Sequence, residues 1–232
     1  MTIIRLHLTL LAVIALAGAD SVATHLSFSA VNGDAEVITS TSNSPGSPQT
    51  RRYVLDAAQS KFVARAFAGG LLWFKGKDHL IAVREFTGEV RLTPGSIVPA
   101  SLELNAKAAS MVETRDVFTE QQKQIINKEL REIVLEPDKY PDITFKSTNV
   151  TGKAINANQY AVKINGNLTL HGVTRSITIP AHVSVNGNDV RATGEFSIDR
   201  DDYNVPATSA FHGMVRVRDR IKFEFDIVGH ER

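Results

Sequence analysis

The sequence predicts an all-β protein: eight long antiparallel strands closed into a barrel, with one amphipathic helical insertion. Three observations lead there. Segment after segment alternates apolar and polar residues with period two, the pattern of a strand with one buried and one wet face. Turn-forming residues separate these segments, as in Asn186-Gly187-Asn188-Asp189, where Asn and Gly tolerate the positive φ of a tight hairpin. One stretch, 119–135, changes to helical spacing. Closure is expected because it removes the exposed edges that invite aggregation.

The N-terminus is read separately from the fold. Arg5 precedes an apolar run from Leu6 to Ala17, broken by His7 and Thr9, and Ala17-Gly18-Ala19 has the small-x-small form of a cleavage site. A run of about a dozen apolar residues falls short of the roughly 20 needed to span a bilayer. Residues 1–19 are therefore expected to be a signal peptide, which places the mature protein in the periplasm or outside the cell. Residues 20–52 include a Ser/Thr-rich run ending Ser44-Pro45-Gly46-Ser47-Pro48 and read as a flexible tether. Residues 53–232 are expected to form the barrel domain.

Composition narrows the function. The chain has 232 residues, is 43% hydrophobic, and balances 26 Lys+Arg against 25 Asp+Glu. That excludes a disordered protein and argues against a general nucleic-acid binder, which needs a basic surface. The absence of cysteine excludes disulfides, thiol catalysis and cysteine-ligated metals.

Strands are expected near 53–67, 80–93, 99–109, 142–150, 159–171, 173–185, 189–200 and 214–228. Val162, Ile164, Gly166, Leu168 and Leu170 alternate with polar neighbours, and so do Val190, Ala192, Gly194, Phe196 and Ile198. The cleanest alternation is the last, with Ile221, Phe223, Phe225 and Ile227 set against Lys222, Glu224 and Asp226. Between the third and fourth strands, Ile125, Ile126, Leu130, Ile133 and Val134 stand at helical spacing. Asp116 or Thr119 is suited to cap this helix, and Pro137 stops it. His171-Gly172 is a further expected turn, where the imidazole would ordinarily bond to backbone.

Several local strings also carry a family resemblance. They are Tyr53-Val54-Leu55-Asp56 with Ser60, then Phe86-Thr87-Gly88, then Tyr140-Pro141-Asp142-Ile143-Thr144-Phe145-Lys146-Ser147, and finally Leu168-Thr169-Leu170-His171-Gly172-Val173-Thr174. In order and spacing they resemble the YceI-like family of bacterial periplasmic polyisoprenoid-binding proteins. The resemblance spans about 53–229. It implies an extended, lipocalin-like barrel of eight antiparallel strands whose apolar lumen holds an isoprenoid or other long-chain lipid.

Strand-face accounting supplies candidate lumen residues: Phe62 and Ala64 on the first strand, Phe86 on the second, Phe145 and Leu168 on the fourth and fifth, and Phe196, Phe223 and Phe225 on the last two. Such side chains either line a slot for a lipid chain or pack together and fill the barrel. Gly69-Gly70 and Gly76 interrupt the first strand around Trp73-Phe74, and the segment closes on Asp78-His79. Trp73, Phe74 and His79 are thus the candidate mouth, serving as a ligand gate, a membrane-interface contact or an apolar plug.

No catalytic constellation is expected. There is no HExxH and no GxSxG, and no His pair has helical ligand spacing, so neither metal nor cofactor is anticipated. The Ser197–Asn204 cluster is expected to place Arg200 against acidic neighbours at a barrel rim. The leading reading is a non-catalytic exported carrier of a polyisoprenoid, quinone-like or fatty-acyl amphiphile, with no nucleic-acid partner and no stable membrane insertion. The alternatives are an enzyme using Asp78/His79 or Arg200/Asp202 at the mouth, and a filled structural or stress-related barrel without ligand. A homodimer is compatible with the sequence and not required by it.

Overall fold

The computed structural model describes residues 49–232 apart from Phe211 and Gly213. The expected signal peptide and nearly all of the tether lie outside the described residues. The strands are β1 (Arg51–Gly69), β2 (His79–Val83), β3 (Phe86–Thr93), β4 (Ser96–Lys107), β5 (Met111–Glu113), β6 (Asp142–Ala154), β7 (Gln159–Leu170), β8 (Val173–Asn186), β9 (Asp189–Asp199), β10 (Ser209–Ala210) and β11 (Val215–Glu231). One α-helix, α1 (Glu120–Glu129), stands between β5 and β6.

Every pairing is antiparallel, and a single ring runs β1-β3-β4-β6-β7-β8-β9-β11. It closes where β11 returns along β1, from Tyr53↔Glu231 to Gly69↔Arg216. The barrel is thus the eight-stranded one expected from the sequence.

One of the expected strands is broken in two, and another is followed by a short strand beyond its expected end. The segment near 80–93 becomes β2 and β3, separated by Arg84-Glu85, because the long β1 takes different partners along its length. Its first residues pair with β3 (Arg51↔Leu92 to Val54↔Glu89), and residues further on pair with β2 (Val63↔Ala82 to Ala66↔His79). On the other side β4 passes through a 3₁₀ turn at Ala108–Ser110 into β5, which pairs with β2. Ser110 satisfies the backbone at the break: its Oγ accepts from Glu85 N–H at 3.0 Å and donates to Lys107 C=O at 2.7 Å. The segment β2–β5 therefore projects the wall past the main ring at one end.

The period-two reading is visible in burial. Along β7, Tyr160, Val162, Ile164, Leu168 and Leu170 are buried while their neighbours are not. At the end holding the start of β1, Tyr53 and Leu92 are essentially inaccessible. The register Leu55↔Gly229, Gly229↔Val190 and Val190↔Val185 brings two further buried valines to the same end, which is closed by these side chains.

The insertion caps the opposite end. Thr119, rather than Asp116, begins α1 with a capping box: Thr119 Oγ1 accepts from Gln122 N–H, and the Gln122 side chain accepts from Thr119 N–H. The helix continues as a π-helical turn, Leu130–Leu135, and ends at Glu136 in the left-handed region before Pro137. The apolar set divides. Ile126, Leu130 and Val134 face inward, whereas Ile125 and Ile133 are exposed. In the next turn His171 bonds a carboxylate instead of backbone, with Nε2 2.9 Å from Glu136 Oε2 and its ring against Tyr140.

Candidate functional site

The inward face of the barrel does not meet itself at the centre. It encloses a cavity of about 640 Å³, running from the closed end to the end covered by α1. This volume lies in the range typical of small-molecule sites, roughly 300–1,000 Å³. The strand with the cleanest alternation shows how the cavity arises. Ile221, Phe223, Phe225 and Ile227 all point to the inner face and all line the cavity, yet none is fully buried. Phe62 and Phe196 behave likewise. Their residual exposure is to the lumen, so these side chains form a wall.

The aromatic wall is organised. Phe196 and Phe223 stack with ring centroids 4.9 Å apart and planes 9° from parallel, and Phe62 leans on Phe223 at 6.0 Å. Phe145 and Phe225 lie flat against backbone: a Cβ added to Gly166 would come within 2.4 Å of the Phe145 ring, and one added to Gly194 within 2.6 Å of Phe225. These two glycines occupy apolar positions of their strands without contributing a side chain, and the rings fill the space left.

Of the candidate lumen residues, Phe62, Ala64, Phe145, Leu168, Phe196, Phe223 and Phe225 lie on the cavity wall. Phe86 does not. It is buried, and its ring meets Phe62 edge-on at 6.2 Å, leaving Phe62 to present the surface. Its position at the start of β3, where the sheet departs from β1, accounts for this.

Apart from Ser101 and Thr144, and from Arg200, Thr208 and Ser209 on the connection between β9 and β11, the polar lining gathers at the α1 end, where Lys75, Lys77, His79, Gln122, Glu129 and Arg216 surround the opening. His79 lines the cavity; Trp73 and Phe74 stand outside it, exposed on a 3₁₀ turn and packed edge-to-face at 6.4 Å. His79 is held between two partners. Its Nδ1 lies 2.8 Å from Glu113 Oε2, and its ring stacks on Phe118 at 5.2 Å. Asp78 is no partner of His79, since its Oδ1 accepts from Ala68 N–H at 2.9 Å.

Glu113 is the buried charge that the sequence did not single out. Burial alone raises its carboxyl, but the His79 ring and the Arg115 and Leu80 amides outweigh burial and hold it below the ordinary glutamate value. The β5 backbone beside it is tied to the insertion through Asn127 Oδ1, which accepts from Glu113 N–H at 2.8 Å. Nothing nearer than the pairing of β2 with β5 links His79 to Glu113, which is why local reading missed it. The Ser197–Asn204 cluster gives Arg200 carboxylate partners, Asp201 and Asp219, rather than Asp202, and a hydrogen bond to Val205 C=O. Among the described residues, no three His, Asp or Glu side chains converge in a way that would hold a metal ion.

A closed antiparallel barrel with an apolar lumen, floored at one end and ringed by polar groups at the other, defines a lipocalin-like architecture. The YceI-like domain matches residues 53–229, and the chain belongs to that family. Among individual relatives, the UPF0312 protein VPA0850 of Vibrio parahaemolyticus is 37% identical over 78 residues, which is 31% of this chain and 39% of that protein. The chain thus matches well under half the length of this curated relative.

Solved structures share the fold at lower identity. BcnA of Burkholderia cenocepacia superposes with a TM-score of 0.58 at 22% identity, covering 75% of this chain and 98% of its own. A polyisoprenoid binding domain from Saccharophagus degradans gives 0.54 at 15% identity, covering 78% and 98%. The YceI protein of Campylobacter jejuni gives 0.51 at 18%, covering 66% and 84%.

Proposed function

We propose that this protein binds a single long-chain amphiphile, a polyisoprenoid, quinone-like or fatty-acyl molecule, in the barrel lumen and acts as a non-catalytic carrier. The observation that carries the reading is the half-buried aromatic and aliphatic wall around about 640 Å³ of cavity. A filled barrel would bury those side chains against one another, whereas a wall that keeps lumenal exposure gains most when a chain enters, at about 0.8 kcal/mol per buried CH₂. Phe62, Ala64, Phe145, Leu168, Phe196, Phe223 and Phe225 would contact the chain, and the polar groups at the α1 end would face its head group.

Two further features support it. One of the solved structures that share the fold is described as a polyisoprenoid binding domain. The titratable groups that line the cavity sit at the opening, while the deep wall is apolar, an arrangement suited to holding a chain rather than reacting with it. Export to the periplasm, carried by Arg5 and the apolar run after it, would place such a carrier where amphiphiles must cross water.

The test is gentle native mass spectrometry of the protein expressed from the full chain, followed by organic extraction. A stoichiometric amphiphile is expected, absent from Phe223→Glu and from the lumen-filling Ala64→Phe. The second variant inserts no charge and keeps the test valid if the first fails to fold. A folded protein that yields no amphiphile and takes up no added prenyl or acyl lipid would overturn the proposal.

A further inference from the structure

The outer surface around the cavity opening carries the most prominent unpartnered apolar patch among the described residues. Leu71 is 78% exposed, Phe74 64%, Trp73 57%, Val117 45% and Met214 40%. These side chains come from three segments drawn together by specific contacts. Leu72 N–H donates to Met214 C=O at 2.9 Å, which joins the 3₁₀ turn to the start of β11. Lys77 Nζ donates to Val117 C=O at 2.8 Å and lies 5.3 Å from the Phe118 ring, which joins the same turn to the loop before α1. Gly70, at φ +87, holds the turn against Met214, since a Cβ there would lie 2.6 Å from the Met214 carbonyl oxygen.

The charge of these segments is one-sided. Residues 70–77, 114–118 and 214–218 carry Lys75, Lys77, Arg115, Arg216 and Arg218 against one carboxylate, Asp116. Elsewhere on the barrel cations are commonly bridged, as in Arg51–Glu231, Arg65–Glu224 and Arg191–Asp226. None of these five is bridged to a carboxylate among the described residues; Arg115 and Arg218 bond the carbonyl oxygens of Asp78 and Ala68. Of the nearby carboxylates, three are occupied elsewhere: Asp78 by the Ala68 amide, Glu113 by His79, Asp219 by Arg200; Asp116 and Glu129 remain, two against five cations.

We infer that the mouth of the barrel is a peripheral docking surface for an anionic lipid bilayer. Trp73, Phe74, Leu71 and Met214 enter the interfacial region, and Lys75, Lys77, Arg115, Arg216 and Arg218 lie at the level of the head groups. The chemistry matches: aromatic side chains favour the membrane–water interface, and clustered unpaired cations are drawn to anionic lipid, whereas a partner protein would not require that all five remain unneutralised. The geometry matches as well, because Lys75, Lys77 and Arg216 also line the cavity, so the docked face is the open end of the lumen. An amphiphile could then pass between bilayer and barrel without crossing water. This goes beyond the carrier reading, since it concerns where the barrel sits and not what it holds.

Trp73 is the only tryptophan in the chain, so its fluorescence reports this surface alone. The experiment titrates the protein with vesicles of phosphatidylglycerol and phosphatidylethanolamine, and in parallel with phosphatidylcholine vesicles, and reads Trp73 emission and co-flotation. The anionic vesicles should shift the emission to shorter wavelength and carry the protein upward, with weaker effects from phosphatidylcholine and at high salt. Replacing Lys75 and Lys77 by Glu should weaken partitioning by roughly fivefold or more for each cation removed. Leu71→Ser with Phe74→Ser, which keep the Trp73 reporter, should weaken it roughly tenfold. Circular dichroism confirms that each variant retains the barrel.

No emission shift and no flotation, or flotation unaffected by all four substitutions, would overturn the inference. So would an emission shift that depends on protein concentration without vesicles and accompanies dimer formation, because the patch would then be covered by a second copy. A protein that yields an extractable amphiphile but does not float refutes docking and leaves the carrier reading intact; one that floats but holds no amphiphile does the reverse.

Discussion

Glu113 has a side chain with no solvent exposure, yet three donors converge on it: His79 Nδ1 at 2.8 Å, Arg115 N–H at 2.7 Å and Leu80 N–H at 3.2 Å. A carboxyl whose pKa is depressed on folding contributes stability that is complete above its ordinary value. That stability is lost as pH falls through the lower folded value. Glu113→Gln should therefore cost about 2 kcal/mol near neutrality, where charge-assisted hydrogen bonds are lost. The gap to the parent should narrow below the ordinary carboxylate range, and urea unfolding at about pH 7 and about pH 3 measures it. A second residue-scale effect belongs to Gly166. Its replacement by Ala would push a methyl into the Phe145 ring, costing about 1–3 kcal/mol and turning that ring into the lumen. Thermal unfolding reads the first effect, and reduced uptake of added lipid reads the second.

At the scale of elements, α1 depends on its first turn, since none of its residues is fully buried. Thr119→Ala removes the side-chain half of the capping box and should lower stability by about 1 kcal/mol, checked by thermal unfolding. Because Ile126 on α1 lines the cavity, hydrogen exchange in α1 should rise along with it. Period-two alternation made all eight barrel strands legible, down to the wall positions of β7, β9 and β11. What it could not show was where a strand changes partner. The apolar run Leu80–Val83 leads into the alternation of Phe86, Gly88, Val90 and Leu92 and the two read as one strand, while β1 hands over from β3 to β2, and Phe86 leaves the cavity wall although its spacing places it there. The helical pattern of 119–135 was equally legible, but the π-helical turn at Leu130–Leu135 and the exposure of Ile125 and Ile133 depend on what the helix covers. The polar end was least readable. His79 meets Glu113 across 34 residues through the β2–β5 pairing, and a contact of that range leaves no local pattern.

At the scale of the whole molecule, the barrel is closed by hydrogen bonds while its centre is lined by surface that packing does not consume. This separates two sources of stability that are usually one. The ring of strands and the closed end around Tyr53 and Leu92 hold the fold, whereas the wall of Phe62, Phe196 and Phe223 adds its full contribution only when a ligand covers it. If an amphiphile binds the folded barrel and not the unfolded chain, stability must rise with its free concentration by mass action, about 3 kcal/mol at a hundredfold excess over Kd. For a domain of this size that corresponds to roughly 5–10 °C in Tm. Protein stripped with organic solvent and refolded should thus melt below protein purified gently, and adding back the extracted amphiphile should restore the difference. Ala64→Phe reverses the logic. By filling part of the lumen it should raise the Tm of stripped protein, or leave it unchanged, while abolishing the increment on adding lipid. A stripped barrel that melts at the same temperature as the loaded one would mean that the wall gains nothing from occupancy, and the cavity would then have to be explained as a feature of the fold alone.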